Sequence, residues 1–90
     1  LLSDKATTEK LASFLCVLAE RVGEDLGAYR QINLPMSRSD IADFLGLTTE
    51  TVSRTLTQLR KSKIIAIDST HTIIIQKPTA LLSLSLGNRD

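Results

Sequence analysis

One cysteine, Cys16, and one histidine, His71, stand in 90 residues. A single thiol can close neither an internal disulfide nor a thiolate metal cluster, so nothing demands an oxidising compartment and the cytoplasm is the default location. One His with one Cys, and no HExxH, P-loop or GxGxxG pattern, also leaves no nucleophile with its base and no ligand set to assemble. An enzyme is therefore not expected, nor a cofactor in this stretch of chain. Long apolar runs are missing as well. The longest unbroken aliphatic stretches, residues 64–67 and 73–75, are far too short to span a bilayer, so no membrane partner is expected. The chain begins Leu-Leu-Ser, without Met and without a basic stretch ahead of an apolar one. That beginning argues against a signal peptide and for a fragment of something longer.

What is present reads as an ordered globular domain, with 42% apolar and 23% charged residues. A chain of this size makes one domain, residues 1–90, which buries only about two-thirds of its unfolded surface. Binding by an exterior surface is then easier to build than a deep pocket. The net charge of +1 conceals an uneven distribution. Residues 1–29 carry three cations against five anions, whereas residues 30–63 carry Arg30, Arg38, Arg54, Arg60, Lys61 and Lys63 against Asp40, Asp43 and Glu50. Residues 64–90 balance. A basic centre between neutral or acidic ends favours nucleic acid only slightly, because a mixed-charge surface is the commoner origin of a few extra cations.

The periodicity organises the rest. Apolar residues at Leu11, Phe14, Leu15, Leu18, Val22 and Leu26 recur in steps of three and four, which predicts a long amphipathic helix capped by Thr7 or Thr8. Gly23, Gly27 and Pro35 loosen the chain, so residues 27–36 read as a loop around a short strand at 32–34. Ser37 with Asp40 forms a capping-box pattern for a second helix with Ile41, Ala42 and Leu45 inside, ended by Gly46. Thr48 caps a third helix with Val52, Leu56 and Leu59 inside, which turns Thr49, Glu50, Ser53, Arg54, Thr57 and Lys61 outward. Past Lys63 the period changes to that of strands. Residues 64–67 and 72–76 flank Asp68-Ser69-Thr70-His71, a hairpin around a four-residue turn. Pro78 then opens a last short helix, which Gly87 stops.

Two short helices joined by a three-residue turn cross closely. Such a crossing needs a small residue in the first helix, a residue free to turn sharply, and a branched apolar residue in the second. Ala42, Gly46 and Val52 fill these places at positions five, nine and fifteen counted from Arg38. That is the spacing of a DNA-binding helix-turn-helix, here over residues 37–61, and the hairpin of residues 64–76 would be its wing. The predicted fold is mostly α with a small antiparallel β wing, a winged helix-turn-helix.

These residues also carry a resemblance. "MSRSDIADFLGLTTETVSRTLTQL", residues 36–59, resembles the helix-turn-helix of the CRP/FNR family of bacterial transcription regulators, and "LGLTTETVSR" is most similar to its FNR and FixK branch. "LLSDKATTEKLASFLCVLAERV" resembles the helix that leads into the family's DNA-binding domain. The resemblance implies the carboxy-terminal domain of a homodimeric regulator, with double-stranded DNA as partner and the sensory and dimerisation parts outside this sequence. Two positions depart from the pattern: Lys63 stands where relatives often have Gly, which puts a lysine in a left-handed turn, and Thr55 stands where they often have an aliphatic residue.

The outward face of the third helix can be assigned residue by residue. Arg54 offers two parallel N–H groups to O6 and N7 of guanine, which makes it the leading candidate for base readout. Glu50, four residues earlier, can accept from an exposed base amino group and hold the Arg54 fork in plane. Equally, it can be a helix-start acid favoured by the dipole. Ser53 has room for contact with a neighbouring base. The resemblance alone implies that Glu, Ser and Arg at these positions read a TTGAT-like half-site. Ser37, Arg38, Thr48, Thr49, Thr51, Thr57, Lys61 and His71 are candidates for the DNA backbone, the helix-start residues through free N–H groups; each start residue can also be a plain cap, and His71 a solvated turn residue. Tyr29 and Arg30 lie in the loop that, by the same resemblance, can face RNA polymerase. Cys16 reads as packing. The competing function is a winged helix used as a protein-interaction or structural module, and an apolar outward face would favour it.

Overall fold

The computed structural model describes residues 2–87. The aliphatic stripe of the first helix, α1 (Leu2–Val22), is the floor of the fold, with Leu11, Ala12 and Leu15 wholly buried. The helix passes straight through Thr7 and Thr8, so neither caps it. It also stops short of Leu26. Gly23 donates back to the Ala19 carbonyl at 3.1 Å, and the chain leaves the helix there as β1 (Glu24–Leu26), an edge strand exposed throughout. The spacing of Leu26 fits the stripe, but the residue is 47% exposed in that strand.

The expected loop is a hairpin. β1 pairs antiparallel with β2 (Tyr29–Asn33) around a turn in which Gly27 takes φ 66°. β2 then pairs with β4 (Thr72–Ile75), and β4 with β3 (Ile65–Ser69), giving one antiparallel sheet in the order β1-β2-β4-β3. The two-stranded wing of the sequence reading is thus half of a four-stranded sheet. Ile32 sits opposite Ile73, and Ile65 opposite Ile75, so the β-branched side chains of three strands share one buried face.

α2 (Arg38–Leu45) and α3 (Thr49–Lys61) lie between β2 and β3 in the chain. At α2 the capping box is complete: the Asp40 N–H donates to Ser37 Oγ at 3.1 Å and the Ser37 N–H to Asp40 Oδ2 at 3.2 Å. Gly46 leaves α2 at φ 71°, and the Leu47 N–H reaches back to the Ala42 carbonyl at 2.8 Å. Ala42 and Val52, the crossing residues, are 2% and 0% exposed. The spacing of five, nine and fifteen therefore does what a helix-turn-helix requires. Ile41, Val52, Leu56 and Leu59 join the α1 stripe and the isoleucine face of the sheet in a single apolar cluster. α4 (Pro78–Ser85) begins on its proline and lays Leu81 against that cluster, and Gly87 follows it at φ 86°. The structure is a winged helix-turn-helix.

Candidate nucleic-acid interface

Thr48 fixes where α3 begins. Its side chain accepts from the Thr51 N–H at 3.1 Å while its hydroxyl donates to Thr51 Oγ1 at 2.7 Å. Arg54, one turn on, donates from Nη2 toward the same Thr51 oxygen at 3.5 Å, a long contact that steers the guanidinium without committing it. Thr51 is half-buried, whereas Thr49, Glu50, Ser53, Arg54 and Lys61 are exposed together. Among the described residues the one ion pair joins Arg30 to Asp25, so Glu50 does not brace Arg54 in this state as the sequence reading allowed. Arg54 keeps its second N–H fork for an outside acceptor. Thr57 is half-buried and its hydroxyl donates to the Ser53 carbonyl at 3.0 Å, which ties it to its own helix and leaves its lone pairs outward.

α3 ends as tightly as it begins. The Lys63 N–H donates to the Arg60 carbonyl at 3.0 Å and the Ile64 N–H to the Leu59 carbonyl at 3.1 Å, with Lys63 at φ 62°. This pair of bonds is a Schellman closure, and Lys63 occupies the left-handed position normally held by glycine. Thr55, the other departure, is 5% exposed, and its hydroxyl donates to the Thr51 carbonyl at 2.8 Å. The buried oxygen is satisfied.

The remaining candidates lie at the start of α2 and at the wing turn. Ser37, exposed, caps α2 beside Arg38, which is half-buried and donates from Nη1 to the Thr70 carbonyl at 2.8 Å. Burial pulls the Arg38 guanidinium below its ordinary range, because leaving water disfavours its charge. His71 is exposed at the wing turn. That turn is tighter than expected: Ser69 pairs with Thr72, the register shifts between Ile67 and Ser69, and only Thr70 and His71 lie outside the ladder. Asp68 is absorbed as a bulge, which explains why four turn-forming residues make a two-residue loop.

Tyr29 and Arg30 are not loop residues. Both belong to β2, and Arg30 spends its guanidinium internally, Nε donating to the Ala19 carbonyl at 2.8 Å and Nη1 to Asp25 Oδ1. It thereby caps the carboxy-terminal end of α1. Tyr29 remains 44% exposed. Cys16 is half-buried, its thiol pushed up by burial. A concavity the sequence did not signal, about 770 Å³ and open, runs along α1 between Phe14, Val17 and the end of α2 at Phe44 and Leu45. Phe44 is 76% exposed there, its ring 5.8 Å from that of Phe14. Among the described residues no group of three or more His, Cys, Asp or Glu could hold a metal ion. No described helix is long and apolar enough to cross a membrane.

Comparison with known proteins places this geometry. Residues 9–84 match the family model of the Crp-like helix-turn-helix domain. The nitrogen fixation regulation protein FixK of Rhizobium meliloti is 51% identical over 80 residues, covering 89% of this chain and 36% of that protein. The fumarate and nitrate reduction regulatory protein of Salmonella typhimurium is 39% identical over 90 residues, covering 100% of this chain and 36% of that one. Among solved structures, FixK2 from Bradyrhizobium japonicum superposes with a TM-score of 0.78 at 34% identity, over 93% of this chain and 39% of that one. The CO-dependent transcription factor CooA of Carboxydothermus hydrogenoformans superposes with a TM-score of 0.86 at 27% identity, over 93% of this chain and 38% of that one. This chain thus spans a little more than a third of the length of these relatives, which are regulators and not enzymes. Match, identity and superposition agree that the chain belongs to the CRP/FNR family, as a Crp-like helix-turn-helix domain homologous to those of FixK and FNR.

Proposed function

We propose that this domain binds double-stranded DNA sequence-specifically in a transcription regulator, with α3 in the major groove. The observation that carries the reading is the outward face of α3: Glu50, Ser53 and Arg54 are exposed side by side on a helix capped at both ends, and Arg54 holds no carboxylate. A forked donor held by no carboxylate on a rigid helix suits guanine O6 and N7. Glu50 and Ser53 address neighbouring bases of a TTGAT-like half-site. Ser37, Thr48, Thr49, Thr51, Thr57, Lys61 and His71 serve the phosphates, where Thr51 is well suited: its oxygen accepts from Thr48 and Arg54, leaving its hydroxyl proton for an outside acceptor. A protein-interaction module would present apolar residues on this face, and it presents none.

The regulator would act in the cytoplasm as a homodimer, since one α3 reads only one half-site. Tyr29, on its exposed hairpin, is the remaining candidate for contact with RNA polymerase, Arg30 being engaged internally. The test is duplex binding by this chain across a salt series, alone and fused to a parallel coiled coil. Binding that falls steeply with salt, prefers the half-site sequence and tightens on a two-fold symmetric site supports the reading. Salt-insensitive or sequence-indifferent binding refutes it.

A further inference from the structure

The wing turn does not hang free of the helix-turn-helix. Three contacts hold it: Arg38 Nη1 to the Thr70 carbonyl at 2.8 Å, the Leu34 N–H to the His71 carbonyl at 2.6 Å, and Thr72 Oγ1 to Asn33 Oδ1 at 3.1 Å. The last two come from β2 and its continuation and fix the base of the turn. Only the first reaches its outermost carbonyl, across 32 residues of sequence, from the first residue of α2. Arg38 is half-buried in making it, unlike the exposed Arg54 and Lys61. A long cation meant chiefly for phosphate gains from staying in water until DNA arrives; this one is withdrawn and directed at a backbone oxygen.

We propose that Arg38 is a positioning residue for the wing: by holding the Thr70 carbonyl it sets where His71 meets the DNA backbone relative to α3, and its contribution to affinity passes through that turn and not through a phosphate of its own. The proposal rests on the DNA-binding reading above. Physically, the hydrogen bond makes wing and recognition helix one preorganised surface, so the ordering of an otherwise two-residue loop is not left to the moment of binding.

The test uses the 90-residue chain, ¹⁵N-labelled, with Arg38→Ala, Arg38→Met, Arg38→Lys, His71→Ala and the double variant Arg38→Ala/His71→Ala. In the free protein, Arg38→Ala and Arg38→Met shift the amide resonances of Ser69, Thr70 and His71 and speed hydrogen exchange at Leu34, whose N–H is bonded to His71. Arg38→Lys, which keeps a donor and the stem, restores both. On a half-site duplex, His71→Ala weakens binding several-fold in the parent and has no further effect once Arg38 is Ala, because both changes remove the same contact. Wing amides that stay in place in Arg38→Ala, with losses that multiply in the double variant, make Arg38 a direct phosphate ligand and overturn the proposal. A parent affinity unchanged by His71→Ala overturns it too, since the wing then does not touch the duplex. If the wing amides move but no variant binds duplex in a salt-dependent way, the DNA-binding reading has failed and the role falls with it, an outcome recognisably different from the first.

Discussion

Two helices of this domain close with the same pair of hydrogen bonds, and one does so at a cost. Gly46 ends α2 at φ 71° and Lys63 ends α3 at φ 62°. For a residue with a Cβ the left-handed region costs about 1–2 kcal/mol. Replacing Lys63 by glycine removes that strain but adds freedom to the unfolded chain, worth roughly 0.4–1 kcal/mol in the opposite direction. Lys63 is exposed and its side chain makes no hydrogen bond or ion pair among the described residues that the change would forfeit, so the net gain for Lys63→Gly is about 0.5–1 kcal/mol. At roughly 4–8 °C per kcal/mol for a domain of this size, the midpoint of thermal unfolding rises by about 2–8 °C. The companion change Gly46→Ala should lower it. An added Cβ there meets nothing within 4 Å, so the loss is conformational alone: about 1–2 kcal/mol of strain, less the roughly 0.4–1 kcal/mol by which alanine restricts the unfolded chain. Circular dichroism melts of the two variants against the parent decide the matter. A Lys63→Gly variant no more stable than the parent would show that the closure of α3 carries no strain and refute this reasoning.

The other end of the fold gives a second pair. Arg30→Met removes the donor that caps α1 and should cost roughly 1–2 kcal/mol in urea unfolding, discounted because a third of the side chain meets water; a change near zero contradicts the cap. Gly23→Ala, whose Cβ would lie 2.3 Å from the Ala19 oxygen and 2.8 Å from Arg30 Nε, should cost roughly 1–3 kcal/mol. Thr55→Val removes a satisfied buried hydroxyl while the Thr51 carbonyl keeps its helical partner, so stability should change by less than about 1 kcal/mol, and a loss above about 2 kcal/mol would show that the hydroxyl matters to the fold. Burial raises the Cys16 thiol, so alkylation at pH 8 should be slower in the folded chain than in urea. By linkage, the stability this thiol contributes is present below the ordinary thiol range and fades as pH rises through the raised value; a folded chain that alkylates as fast as the unfolded one would contradict both statements.

The helix-turn-helix was legible because its determinants are local. A cap, a small crossing residue, a glycine and a branched residue each act within a few positions of one another, and Ser37, Ala42, Gly46, Thr48 and Val52 all do in the structure what their types predicted. The strained Lys63 was visible through the resemblance alone, which puts glycine at that place in relatives. Pairings over long sequence separations were not. Nothing in "EDLGAYRQIN" announces that residues 30–33 will pair with residues 72–75, so a four-stranded sheet read as a two-stranded wing. The β1–β2 hairpin is local, but β1 is exposed throughout and offers no apolar alternation to mark it as a strand. Helical period carried Leu26 onto the α1 stripe because periodicity cannot see that the chain leaves the helix at Gly23, where Arg30, from β2, takes the Ala19 carbonyl, and runs on as a strand. The internal bonds of Arg30 and Arg38 were hidden for a related reason. Sequence shows a cation; it does not show that a backbone carbonyl 11 or 32 residues away is waiting for its N–H.

Whether the face of α3 reads bases or merely attaches is decided by one substitution. The measurement is the affinity of a dimerised form, parent against Arg54→Ala, for a set of half-site variants at two salt concentrations. Removing a fork that only guanine can complete should cost roughly 1–3 kcal/mol per half-site and relax the preference at that one base pair, while other positions keep theirs. A uniform loss across every variant, accompanied only by a shallower salt slope, would mean that Arg54 touches phosphate and that this helix does not read sequence through it.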